Sequence, residues 1–319
     1  MLREKREIEN FIIQVAGPVI DMSKTRHESQ IHGVLKHDEP MANHTSWRAG
    51  GKAEHYFEPA DLDDLRNYLT NIPADEPLLW IGLGSNLLVR DGGIRGTVVA
   101  ISGVLNNLEM QTSGRIRVEA GVPCAKVARF SAKAGFTGAE FLAGIPGTMG
   151  GALAMNAGAF GMETWDVVTS VEILNRSGRQ KFRSRNDFEI GYRHVRLSED
   201  EWFLAAELML QVDTQKNAEK LIRELLTKRA VTQPMGQLSC GSVFRNPPND
   251  YAARLIESCG LKGKRIGNAL VSEKHANFII NAGGATANEI EQLIIHIQDV
   301  VRRKCMVELL PEVRIVGNA

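Results

Sequence analysis

Two glycine-rich stretches limit what this chain can fold into more than any other feature. The first is Ile81-Gly82-Leu83-Gly84-Ser85-Asn86-Leu87-Leu88, and the second runs Gly144-Ile145-Pro146-Gly147-Thr148-Met149-Gly150-Gly151 through Ala152–Met155 to Asn156-Ala157-Gly158-Ala159-Phe160-Gly161. Glycine loses more backbone freedom on folding than any other residue and buries no side chain, so such runs cannot build a core alone. A diphosphate against bare backbone, with a flat ring beside the small side chains, would fill the space, and successive N–H groups form a nest for the anion. The first loop is not a G-x-G-x-x-G fingerprint, because Leu87 stands where the third glycine belongs and the chain returns to a strand. No Gly-Lys-Ser/Thr follows either loop, which excludes a Walker loop. Ordinary turn structure is the competing reading of each loop taken singly.

Around these loops the pattern mixes strands and helices without regular alternation, which favours an α+β fold over a doubly wound sheet. Strand signals lie at His55–Phe57, Leu78–Ile81, Leu87–Val89, Thr97–Ile101, Arg115–Val118, Val171–Leu174 and Phe203–Val212. Asp61 is placed to cap a helix carrying Leu62, Leu65 and Leu69 on one face. Further helices are predicted from Ala125 to Ala134, closed by Gly135, from Asn217 to Arg229, and from Ala252 to Cys259. A last one follows the capping box Thr286-Ala287-Asn288-Glu289, with Ile290, Leu293, Ile294, Ile297 and Val301 as its buried stripe. The residues up to Pro40 show no sustained period and read as an N-terminal extension.

The chain has 319 residues, enough for two or three domains. Lys+Arg and Asp+Glu are both 38, so no net charge draws the protein onto nucleic acid or an anionic membrane. Cys124, Cys240, Cys259 and Cys305 form no C-x-x-C pair, so neither a zinc cage nor a disulfide framework is expected, and no metal is assigned. Reduced thiols suit a cytoplasmic protein. The apolar run Phe11–Ile20 is interrupted by Gln14 and Gly17-Pro18 and lacks a small-residue cleavage site, so it reads as neither a signal peptide nor a membrane span.

Together with Asn43-His44-Thr45-Ser46-Trp47-Arg48-Ala49-Gly50-Gly51, the two loops resemble the FAD-binding half of the UDP-N-acetylenolpyruvoylglucosamine reductase family, whose fold belongs to the wider vanillyl-alcohol-oxidase-like group. The likeness spans about residue 43 to 317. It implies an extension over 1–40, FAD-binding subdomains over 41–103 and 104–214, and an α+β substrate-binding domain over 215–319. It also implies noncovalent FAD, NADPH as co-substrate, a UDP-sugar substrate, and a place in peptidoglycan precursor synthesis. The cofactor contacts it implies are Ile81, Gly82, Leu83, Gly84, Ser85, Asn86, Leu87, Gly121, Gly147, Thr148, Gly150, Gly151, Asn156, Gly158 and Ala159. Bulk at Gly150 is accordingly expected to obstruct the cofactor's approach to the backbone.

Three later clusters resemble the same family's catalytic motifs: Ile190-Gly191-Tyr192-Arg193, Cys240-Gly241-Ser242-Val243-Phe244-Arg245-Asn246-Pro247 and Leu310-Pro311-Glu312-Val313-Arg314. The resemblance makes Arg193, Ser242 and Glu312 the catalytic set. Hydride from flavin N5 adds to the far carbon of the enolpyruvyl double bond, and the resulting negative charge spreads into the substrate carboxylate. A guanidinium holds a carboxylate in a fixed fork, which suits Arg193, and a hydroxyl within reach of the second carbon can supply its proton, which suits Ser242. Glu312 either bonds the same carboxylate while protonated or orients a water or Arg193.

Substrate contacts are carried over to Tyr192, Arg229, Asn246 and His275, with Lys262, Lys264 or Arg265 as other candidates for the diphosphate. The short interval between Arg193 and Ser242, with Lys228-Arg229-Ala230-Val231-Thr232-Gln233-Pro234, resembles the family's shorter form, which lacks a tyrosine-bearing loop over the substrate. Residues 231–238 are then a candidate cover.

Taken alone, each motif has a plain structural reading: a solvated arginine, a serine in a turn, a carboxylate at a strand edge, a satisfied histidine. Two rival functions fit parts of the pattern. A flavin oxidase of the same wider fold would act on a sugar or alcohol, and a non-catalytic protein would keep FAD or a UDP-sugar as a bound ligand. The purified protein is predicted to be yellow and to release intact FAD into the supernatant on acid precipitation. Colourless protein that takes up no added FAD would overturn the cofactor assignment.

Overall fold

The protein is described here by a computed structural model covering residues 31–319, so the expectation for Phe11–Ile20 lies outside the described residues. The chain first builds a four-stranded sheet from β1 (Val34–Pro40), β2 (Lys52–Glu58), β3 (Leu78–Ile81) and β5 (Ile94–Ala100), in the order β1-β2-β5-β3. Its period of two is plain at the centre. Tyr56 pairs with Val98 and packs on one face, while Phe57 pairs with Val99 and packs on the other. On the Phe57 side lies α1 (Leu62–Asn71), whose Asp61 cap accepts from Asp64 N–H at 2.8 Å and which buries Leu65, Tyr68 and Leu69. The short strand β4 (Leu87–Val89) leaves the first glycine loop and joins no strand of that sheet.

A five-stranded antiparallel sheet follows, from β6 (Leu108–Met110), β7 (Ile116–Glu119), β8 (Val168–Asn175), β9 (Gln180–Ser184) and β10 (Glu201–Leu208), in the order β9-β8-β10-β7-β6. Two helices inserted before β8, α2 (Cys124–Lys133) and α3 (Met149–Met155), pack into its core beside Trp165 and Phe203.

The last part carries α4 (Ala218–Thr232), α5 (Ala252–Ser258), a small antiparallel sheet of β11 (Arg265–Ile266), β12 (Ala269–Val271) and β13 (Ile279–Asn281), and α6 (Ala287–Cys305). The Thr286 capping box is formed, and the predicted stripe Ile290, Leu293, Ile294, Ile297 and Val301 is buried. Strand β14 (Arg314–Val316) then runs back to pair in parallel with β4, Arg314 opposite Leu87.

Three expectations are corrected. Val34–Pro40, grouped with the extension, is an edge strand; its pattern alternates weakly because one side faces solvent. Phe203–Val212 is not one strand, since the chain leaves β10 at Leu208 and Gln211-Val212 pairs separately with Phe136-Thr137. Ala152–Met155 belongs to α3, which starts under a Thr148 side-chain cap within the glycine run.

Asn277 fixes the segment that carries Ser242. Its Oδ1 accepts from Phe244 N–H at 2.9 Å, its Nδ2 donates to Phe244 O at 2.8 Å, and its own carbonyl accepts from Val243 N–H at 2.9 Å. Asn277→Ala strands two buried backbone groups and is expected to lower stability by about 2–4 kcal/mol, read by denaturant unfolding. An unchanged midpoint would show that water replaces the amide.

Candidate active site

The two glycine loops meet face to face. A Cβ at Gly82 would fall against Thr148 Oγ1, and one at Gly84, where φ is +58°, against the carbonyl of His44. Only glycine fits those approaches. Ser46 N–H donates to Gly84 O at 3.1 Å, so the Asn43–Gly51 segment braces the first loop from behind. Gly147 and Gly151 differ: a Cβ at Gly147 meets nothing nearer than Ser85 Oγ at 3.4 Å, and one at Gly151 nothing nearer than Thr148 Oγ1 at 3.9 Å. Both are glycine although the protein leaves room for a side chain, and both border a cavity of about 890 Å³. Bare backbone facing free space is a cradle that suits a diphosphate.

The same cavity receives the polar set. Arg193, in left-handed backbone at φ +54°, donates from Nε to Glu312 Oε1 at 3.0 Å and from Nη2 to Gly158 O at 2.9 Å, with Glu163 Oε1 at 3.5 Å from Nη1. Burial raises the Glu312 carboxyl above its ordinary range, outweighing the opposing pull of Arg193, of its hydrogen bond, and of Arg245. Glu312 is placed by its backbone: its N–H donates to Val243 O at 2.7 Å and its carbonyl accepts from Asn86 Nδ2 at 3.1 Å. Ser242 therefore sits one residue before the partner of Glu312, and Asn86 of the first loop reaches the Glu312 backbone.

The cavity brings together Ile81, Gly82, Leu83, Gly84, Ser85, Asn86, Leu87, Gly147, Thr148, Gly150, Gly151, Gly158, Ala159, Tyr192, Arg193, Arg229, Ser242, Asn246 and Glu312. Gly121, Asn156 and His275 do not line it. Gly121 is a close backbone approach to Leu105, whose carbonyl accepts its N–H at 2.8 Å. Asn156 is a buried left-handed helix cap, donating to Glu163 Oε2 at 2.7 Å and Gly191 O at 3.1 Å, and so shapes the Gly158 turn. His275 stacks edge-on against Phe278, which does line the cavity, and burial lowers its pKa. Among the diphosphate candidates only Arg229 borders the cavity; Lys262 is paired with Glu257 at 2.7 Å, and Lys264 and Arg265 lie elsewhere.

Sequence reasoning missed two features. Trp80 and Trp202 stack at 4.7 Å with rings 7° apart on the cavity wall, and Trp80 Nε1 has no hydrogen-bond partner among the described residues. They lie 122 positions apart on strands of different sheets, so no local pattern pairs them. Behind Gly84, His44 Nε2 meets Glu39 Oε1 at 2.7 Å and its Nδ1 meets Tyr56 OH at 2.8 Å. The imidazole thus bridges the Glu39 carboxylate and the Tyr56 hydroxyl, whose pKa is raised mainly by burial.

Comparison with known proteins supplies the family. Residues 53–182 match an FAD binding domain, and residues 233–316 match the C-terminal domain of UDP-N-acetylenolpyruvoylglucosamine reductase. The reductase of Methylococcus capsulatus is 56% identical over 297 residues, covering 93% of this chain and 98% of the relative. That of Nitrosococcus oceani is 55% identical over 290 residues, covering 91% and 97%. This chain belongs to the UDP-N-acetylenolpyruvoylglucosamine reductase family. It is thus an FAD-dependent oxidoreductase, and its length agrees with the family's shorter form. The crystal structure of the reductase from Thermus caldophilus superposes with a TM-score of 0.76 at 28% identity, covering 89% of this chain and 99% of that one. The α+β expectation and the FAD assignment both stand.

Contrary to expectation, Gly150 is constrained by packing inside this reductase. Its Cβ would meet Ala120 Cβ at 2.9 Å and Ile101 Cδ1 at 3.2 Å, inside the protein, although its backbone borders the cavity. Gly150→Val is expected to cost about 1–3 kcal/mol through overpacking, in apoprotein and FAD-loaded protein alike. Gly147→Val should keep the apoprotein melting temperature and weaken FAD binding. Thermal unfolding with and without added FAD separates the two; the opposite pattern would reverse the assignment.

Proposed function

We propose that this chain reduces the enolpyruvyl group of UDP-N-acetyl-3-O-(1-carboxyvinyl)-glucosamine to give UDP-N-acetylmuramate, with Arg193, Ser242 and Glu312 as the working side chains. The observation that carries the reading is the Arg193–Glu312 contact at 3.0 Å in the cavity shared with both glycine loops and Ser242. The two glycine loops would hold FAD, which would supply the redox chemistry between NADPH and the double bond. The remaining work falls to the protein. Arg193 has its Nε committed to Glu312 and one Nη to Gly158 O, so its plane is fixed before substrate arrives and its outer face can hold the carboxylate. Glu312 orients that guanidinium. Ser242 Oγ gives its proton to the carbon next to the carboxylate, where charge accumulates.

Arg229 suits the far end of the substrate. It borders the cavity from the last turns of α4, its Nε donating to Gln233 Oε1 at 2.9 Å, with no carboxylate paired to it among the described residues, and burial lowers its pKa. Asn246 and Tyr192 complete that wall, and residues 231–238, leaving α4 beside Gln233, are the proposed cover. The proposed division of the chain falls at about 103/104 and 214/215, although α4 buries Ile222 in the core of the second sheet. A cytoplasmic location fits both nucleotides, and among the described residues no helix is long and apolar enough to cross a membrane.

Ser242→Ala should leave flavin bleaching by NADPH nearly intact and slow its reoxidation by the enolpyruvyl sugar roughly 10²–10⁴-fold. Anaerobic stopped-flow absorbance reads each half separately. Equal reoxidation in wild type and variant rejects the serine's role, and equal slowing of both halves points to a general disturbance of the site.

A further inference from the structure

Away from the cavity, the fold closes a pair that the sequence keeps apart. Cys259 ends α5 and Cys305 is the last residue of α6, 46 positions on, yet their sulfurs lie 3.6 Å apart as free thiols. The two other cysteines are single and buried: Cys124 and Cys240 each have a thiol pushed up to about 12 by burial. Two cations stand beside the pair. Lys304 Nζ donates to Cys259 O at 3.1 Å, and the charge of Arg254 couples to Cys305.

We propose that Cys259 and Cys305 form a peroxide-sensitive thiol pair that closes to a disulfide and ties α5 to α6. Cys305 is the more exposed of the two and reacts first. Its thiolate sulfur attacks one oxygen of hydrogen peroxide; the O–O bond breaks, the sulfur becomes a sulfenic acid, and the other oxygen leaves as hydroxide and is protonated to water. The Cys259 thiolate then attacks the sulfenic sulfur, the S–S bond forms, and the S–OH oxygen leaves as a second water. Two electrons pass from the sulfur pair to the peroxide, and the two thiol protons end in the waters. Burial raises the Cys259 thiol, so the second step waits on its deprotonation.

Closing the contact to bonding distance needs the sulfurs to approach by roughly 1.5 Å. The helix end supplies that movement: Cys305 makes the last turn of α6, and Met306 beyond it is a left-handed cap, 87% exposed. At its other end α5 begins where Ala252 N–H donates to Asn246 Oδ1 at 3.1 Å, and Asn246 lines the cavity. The crosslink therefore braces an element that stands behind the substrate wall.

The test treats oxidised, FAD-loaded protein with hydrogen peroxide, alkylates the remaining thiols, digests without reductant, and identifies linked peptides by mass spectrometry. The expected result is a Cys259–Cys305 peptide, free Cys124 and Cys240, and a melting temperature that rises on oxidation and returns with dithiothreitol. Cys305→Ser should fold, bind FAD, and show neither the link nor the shift. Both thiols fully alkylated after peroxide, or Cys305 driven to sulfinic acid with no link, would overturn the proposal. The readout is the sulfur chemistry alone, so its failure is distinguishable from failure of the reductase reading.

Discussion

The site depends on one junction, where the strand leaving the first glycine loop lies beside the strand that ends the chain. Leu87 to Val89 pair in parallel with Arg314 to Val316, and Asn86 Nδ2 donates to the carbonyl of Glu312 at 3.1 Å. These residues are 226 positions apart. Closing so long a loop costs chain entropy that no single hydrogen bond offsets, so the junction persists because large buried surfaces on both sides hold it. The glycine loop and the Glu312 carboxylate are thereby parts of one rigid assembly.

Trp47 helps to secure that arrangement. It belongs to the segment that braces the first loop, yet its indole is wholly buried in the core of the C-terminal elements, with Leu88, Phe244, Ile290 and Leu293. Its Nε1 donates to Ile279 O at 2.8 Å, and its carbonyl accepts from Asn281 Nδ2 at 2.8 Å. An aromatic side chain of this size with its one donor satisfied contributes several kcal/mol of burial and leaves little freedom of orientation. The cavity lies where the FAD-binding part meets that core, so a rigid joint there keeps Ser242 and Glu312 in a fixed relation to the glycine loops.

Within the site, the Arg193 guanidinium is held by hydrogen bonds already in place. Arg193 sits in left-handed backbone, unusual for a residue other than glycine, and its guanidinium is already held by Glu312, Gly158 O and Asn156 O. A group fixed in this way loses little further entropy on meeting a carboxylate, as the role proposed for it requires. Asn156 serves the same end without touching the cavity, because its amide fixes Glu163 and the Gly191 carbonyl around Arg193.

The sequence by itself determined the local elements and the character of the two loops. The capping box at Thr286, the Asp61 cap and the period-two alternation about Tyr56-Phe57 are local hydrogen-bond and packing preferences, and each appears where those preferences put it. Family motifs identified Arg193, Ser242 and Glu312, but only the tertiary structure decided that Glu312 grips Arg193, that Gly150 answers to Ala120, and that His275, Gly121 and Asn156 stand outside the cavity. It also decided the stacking of Trp80 on Trp202 and the meeting of Cys259 with Cys305. The reason is physical: a cap or an amphipathic stripe involves residues within a few positions of each other, whereas these contacts depend on how separately formed layers bury their apolar faces.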